Sequence, residues 1–175
     1  MLDSDFDMDG IVTTAVGAAG GNGRAMAVQP DGKILLAGDA TPGIDADYAL
    51  VRYLPDGSLD PAFGFGGQVL VGGASDDLAR AILLQPDGKI LLGGRGGPSG
   101  GNEFYVVRFT SGGTLDATFG TNGEVTGAMG FGGNEGYAMA LQPDGKILLA
   151  GSAANANDLD FALLRYNPDG SQDMD

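Results

Sequence analysis

Asp5, Asp7 and Asp9 alternate along the N-terminal stretch and run into Gly10, which matches the first half of a calcium-binding loop. Alternate carboxylates on a turning backbone can offer hard oxygen ligands to Ca2+. The acidic residue expected at the twelfth loop position is replaced by Val16, so the loop is incomplete. The same residues also fit a structural element, Leu-Asp-x-x-Phe-x-x-x-Gly, which recurs from Leu59 to Gly67. Two expectations follow. Either Asp5, Asp7 and Asp9 hold Ca2+, or they belong to a turn and the chain has no cofactor. The acidic pairs Asp45 with Asp47 and Asp158 with Asp160 lie beside variable segments and add little to the first.

The basic residues form a second pattern. Arg52, Arg108 and Arg165 recur at one position of a repeat, as do Asp60, Asp116 and Asp173 at another, and Lys33, Lys89 and Lys146 at a third. A ring of ligand-facing arginines is one reading. Repetition favours the other, a bidentate Arg–carboxylate pair inside each unit that maintains the fold. Arg95 is the one basic residue outside repeated positions.

Composition narrows the chemistry. Cysteine and histidine are both absent, which excludes disulfides, thiolate zinc sites, thiol nucleophiles and imidazole catalysis. No catalytic constellation stands out. A net charge of −14 disfavours nucleic acid and anionic membrane surfaces. No apolar stretch approaches a membrane span, and the N-terminus lacks the regions of a signal peptide, so an exported form would have lost its signal or come from a longer precursor.

These residues are spaced by a repeat built on Gln-Pro-Asp-Gly-Lys-Ile-Leu-Leu, which begins at Gln29, Gln85 and Gln142, 56 and 57 residues apart. Pro-Asp-Gly makes a tight turn: Pro fixes φ, Asp bonds the local backbone, and Gly accepts positive φ. The flanking apolar runs make it a hairpin. Four strands per unit are expected, the first at residues 24–29, 80–85 and 137–142 and the second at 33–38, 89–94 and 146–151. The third is expected at 47–53, 103–109 and 160–166, and the fourth at 68–71 and 124–126. The third unit stops before its fourth strand, and residues 1–14 carry the missing piece. The domain 1–175 thus divides into units 24–72, 80–127, and 137–175 completed by 1–14.

Both faces of the first two strands are apolar: Ala25 and Ala27 against Met26 and Val28, then Ile34 and Leu36 against Leu35 and Ala37. Such sheets need neighbours on both sides. The expected fold is all-β, a β-propeller of three four-stranded blades with one blade split between the termini. A β-solenoid is the alternative, but four strands and three turns exceed one ordinary coil.

The motifs Leu-Gln-Pro-Asp-Gly-Lys-Ile-Leu-Leu, Leu-Val-Arg-Tyr-x-Pro-Asp-Gly-Ser-Leu-Asp and Phe-Gly-x-x-Gly resemble the delta-60 repeat proteins, a bacterial family thought to form β-propellers. The resemblance implies a secreted or surface-associated repeat protein and carries over no catalytic residues.

Recognition is expected in what varies, the segments 39–46, 95–102 and 152–159. The function expected is a non-enzymatic scaffold that self-assembles, preferably as a six-bladed homodimer, and presents these loops to a ligand or surface. An open filament or a longer propeller would satisfy the same edges. The alternative is a carbohydrate-active hydrolase or lyase using paired carboxylates.

Overall fold

Each anchor folds as its residues dictate. Gly32, Gly88 and Gly145 take φ of 84°, 83° and 85°. The amide of Gly32 donates to the Gln29 carbonyl at 2.9 Å, and that of Gln29 to the Lys33 carbonyl at 2.8 Å. The computed structural model describes residues 2–73, 75–98, 102–127, 129 and 133–174. Ser99, Gly100 and Gly101 of the second variable segment, and Met1 and Asp175 of the split unit, lie outside the described residues.

Among the described residues every regular element is a strand. The first sheet runs β1 (Gly21–Val28), β2 (Ile34–Ala40), β3 (Asp47–Tyr53) and β4 (Gln68–Val71). The second repeats it as β5 (Leu78–Leu84), β6 (Ile90–Gly96), β7 (Glu103–Phe109) and β8 (Glu124–Gly127). The third has three strands, β9 (Glu135–Leu141), β10 (Ile147–Ala154) and β11 (Leu159–Tyr166). Neighbouring strands are antiparallel throughout. The sheets stack face to face, with β5 lying against both β1 and β9, so the first strand of each blade is the inner one. The stack does not close into a ring.

The core lies between the blades, as two-sided apolar strands require. Leu35, Leu50, Ile90, Leu92 and Val107 fill the first seam, while Leu91, Val106, Ile147 and Leu164 fill the second. Adjacent residues of one strand therefore serve opposite seams.

The inner hairpins are longer than expected. Register shifts at Arg24 and Arg80, and the matching shift beside Tyr137, mark one β-bulge per blade. A bulge re-aims one side chain and lets the pairing resume. Pairing then continues for two or three more residues, so β1, β5 and β9 start earlier than residues 24, 80 and 137. Opposite each bulge stands a glycine with no room for a side chain. A Cβ on Gly38, Gly94 or Gly151 would lie 1.8, 2.0 or 1.9 Å from a backbone oxygen of the bulged strand. By the same extension β2, β6 and β10 reach Ala40, Gly96 and Ala154. The variable segments 39–46, 95–102 and 152–159 thus begin on strands, and Arg95 is a strand residue.

Candidate functional site

The repeated charges converge at the outer corner of each blade. Arg52 Nε lies 2.8 Å from Asp60 Oδ2, Arg108 Nε 2.8 Å from Asp116 Oδ2, and Arg165 Nε 2.5 Å from Asp173 Oδ2. Each carboxylate also meets a lysine, Lys33, Lys89 or Lys146, at 3.1, 3.2 and 2.8 Å. At Arg52 and Arg108 the guanidinium does not turn both arms of its fork to that carboxylate. Arg52 and Arg108 each spend Nη1 on the next blade, donating at 2.6 Å to the carbonyls of Ser111 and Pro168. Their guanidinium groups also lie over Phe63 and Phe119, 4.3 and 4.5 Å from the ring centres. The arginine is therefore a clamp between blades as well as a partner within one. Burial pushes Asp116 up, but the Thr118 hydroxyl and amide, with Lys89 and Arg108, outweigh it and hold the carboxyl well below its usual range.

The N-terminal segment has the geometry of this same corner. Phe63 and Phe119 press on Gly113 and Gly170 of the following blade, and Phe6 presses on Gly57 in the same way. The amides of Gly64 and Gly120 donate to Gly112 and Asp169, and that of Asp7 donates to Asp56 at 2.8 Å. Asp7 has φ 45°, where Gly64 and Gly120 have 52° and 51°. Beyond the turn, Val12 and Val16 pack on Ala49, Val51 and Tyr53, and the Tyr53 hydroxyl bonds Thr14 Oγ1 at 2.8 Å. Residues 2–16 thus occupy the place of a preceding blade's outer strand.

Asp5, Asp7 and Asp9 are placed by that turn. Asp9 Oδ1 accepts the Ile11 amide at 2.9 Å, and the Asp5 amide donates to Asp3 Oδ1 at 3.0 Å. Among the described residues no three acidic side chains converge closely enough to hold a metal ion. Asp45 and Asp47 face each other's charge: burial, then Asp45, raises the Asp47 carboxyl. Asp158 and Asp160 are bridged by the Asn155 amide at 2.8 and 2.6 Å. Asp77, which the sequence did not single out, is enclosed, and its two oxygens take the amides of Gly73 and Gly97 at 2.6 and 2.7 Å. It ties two turns together.

At the inner rim the bulge residues differ between blades. Arg24 pairs with Asp39, Arg80 pairs with Glu135, and the Tyr137 hydroxyl donates to Glu135 at 2.7 Å. Sequence reading missed this cluster. The glycine inside each second strand was the available signal, since an interior strand glycine often marks a bulge.

The repeat in the sequence, the stacked four-stranded sheets and the inter-blade clamps coincide with one match. The family described as "Domain of unknown function (DUF5122) beta-propeller" matches residues 29–63, 85–119 and 142–175. The chain belongs to the DUF5122 β-propeller family. Each matched segment runs from an anchor glutamine through the third strand and, in the first two units, ends on the Phe63 or Phe119 of the clamp. No curated protein matches this chain.

The remaining feature of this DUF5122 domain is its two uncovered ends. In the third blade Phe161 and Leu163 are exposed, whereas their counterparts Tyr48, Leu50, Phe104 and Val106 are buried. Among the described residues β11 has no strand on its outer edge, where β3 has β4 and β7 has β8. In the first blade Met26 and Val28 are exposed, whereas Ile82 and Leu84 at the same positions are packed in a seam.

Proposed function

We propose that this chain is a non-enzymatic interaction scaffold that completes its propeller by pairing with a second copy and offers its variable rim to a ligand or surface. The observation that carries the reading is that the two uncovered ends are the two halves of one inter-blade seam. The third blade offers the face that Tyr48 and Leu50 offer in a filled seam. The first offers the face that Ile82 and Leu84 offer. Residues 2–16, placed like the turn and outer segment of a preceding blade, lack the sheet they would extend. Transferring the register of β3 with β4 pairs Ile11 with Leu164, Val12 with Leu163, Thr13 with Ala162 and Thr14 with Phe161 between copies. Two copies give six blades, within the usual range for propellers, and give every blade its outer strand, leaving only the short, protected edges usual for that fold.

The resemblance to delta-60 repeats supports a bacterial, secreted or cell-surface setting. Against a hydrolase or lyase, Asp77 spends both oxygens on backbone amides. Light scattering should give about twice 17.6 kDa, and deleting residues 1–14 or replacing Leu163 with Asp should abolish the assembly. A folded monomer at micromolar concentration would overturn the reading, and an open filament would replace the ring with a helical array.

A further inference from the structure

The two seams share a frame and differ in charge. In the first seam Arg24 pairs with Asp39, and the Asn22 amide donates to the other Asp39 oxygen at 2.9 Å. That group is closed. Arg95 stands where Asp39 stands, one residue beyond the glycine opposite the bulge. It lies across from Leu78 and Phe104 and faces the third blade, on the side that carries Leu91 and Phe104.

In the second seam, then, two guanidinium groups share one carboxylate. Glu135 gives one oxygen to Arg80 and the other to Tyr137. Of the nine basic residues, Arg95 alone forms no ion pair among the described residues. Its Nε is enclosed without a hydrogen-bond partner, as is the Nε of Arg80. Burial pushes Glu135 up, but the Tyr137 hydroxyl and Arg80, with the charge of Arg95 behind them, hold it below the usual carboxylate range. Glu135 thus has a partner on each oxygen, while half-buried Arg95 has no ion pair of its own among the described residues.

We infer that Arg95, at the inner rim between the second and third blades, binds the carboxylate of a small organic acid. The planar two-oxygen group matches the guanidinium fork. A net charge of −14 repels a dianion more strongly than a monoanion, which favours carboxylate over phosphate. The Tyr137 ring lies 5.5 Å from the Arg80 guanidinium, and Phe104 is the strand partner of Arg95. The inference deepens the reading of the variable rim as the recognition face and rests on it, but it does not depend on self-association.

The test is a titration of the intact chain by NMR or calorimetry at constant ionic strength. The probes are galacturonate for an acidic sugar, the α-amide of N-acetylglutamate (one carboxylate) for an acidic peptide side chain, and inorganic phosphate. At least one carboxylate should bind saturably, with Kd on the order of 1 mM for a single charged contact. Arg95→Gln should weaken it at least tenfold, Arg95→Lys should fall between, and neither variant should shift the unfolding midpoint. Whichever carboxylate binds tighter names the source. The assignment fails if no carboxylate saturates, if Arg95→Gln binds as well as the parent, or if phosphate binds as tightly with the same dependence on Arg95. A lowered melting temperature in Arg95→Gln would equally sink it, by making the residue structural. Light scattering on the same samples separates this outcome from failure of the assembly.

Discussion

Replacing Arg108 with Met removes four contacts at once: the ion pair to Asp116, the 2.6 Å bond to the Pro168 carbonyl, the 3.2 Å bond to the Thr118 hydroxyl, and the contact over Phe119. Met fills much of the same volume, so the loss is electrostatic rather than a cavity. Stranding one partner of a buried pair costs about 3–5 kcal/mol. Lys89 remains 3.2 Å from Asp116 and keeps that carboxylate partnered, which places the expected loss near the lower figure, about 3 kcal/mol. For a chain of this size that is a fall in Tm of roughly 6–12 °C. Acid adds a second readout. Asp116 is held below its unfolded value, so its stabilisation is complete above about pH 4 and is lost as pH falls through the folded value. Without Arg108 the folded value rises, and acid unfolding should begin at higher pH. Arg165→Met supplies the internal comparison: its side chain is 37% exposed against 5% for Arg108, so the same change should cost less until a second copy covers it. Thermal and acid unfolding followed by circular dichroism would measure all three. A loss under about 1 kcal/mol for Arg108→Met, well below the buried-pair range, would refute the clamp.

Gly94→Ala should cost about 3 kcal/mol, because the new Cβ meets the Leu78 carbonyl at 2.0 Å. Gly43→Ala, where nothing lies within 4 Å, should stay within about 0.5 kcal/mol in urea unfolding. Met8 has φ 68°, which costs an L-residue about 1–2 kcal/mol, so Met8→Gly should stabilise by roughly 0.5–1 kcal/mol after its entropy cost. Millimolar Ca2+ tests the N-terminal carboxylates: an unchanged melting temperature is expected of a purely structural turn, and a rise that disappears in an Asp7→Asn, Asp9→Asn double variant would assign them to calcium.

The blade was legible because its signals are local. Pro-Asp-Gly announces each hairpin, and apolar residues on both strand faces announce a stack rather than a sandwich. Asp5, Asp7 and Asp9 could be matched to a turn because Phe6 and Gly10 keep the spacing of Phe63 and Gly67. What sequence hid is what depends on the neighbouring blade. The reach of Arg52 to Ser111 spans 59 positions and leaves no mark at either end. The bulge at Arg24, Arg80 and Tyr137 shifts alternation by one residue in a strand apolar on both faces, where a shift changes no visible pattern. Arg95 looked like a loop residue for the same reason: the bulge carries β6 farther than the turn chemistry alone indicates.

Residues 2 and 3 hold the same register positions as Gln172 and Asp173. At a joined seam, Asp3 of one copy and Asp173 of the other are therefore rivals for a single Lys146–Arg165 corner. If copies pair as proposed, exchange would proceed by strand displacement, an incoming segment engaging the β11 edge and turning out the resident residues before anything dissociates. Subunits of a ring built this way would trade partners through a three-copy intermediate, at a rate that rises with protein concentration.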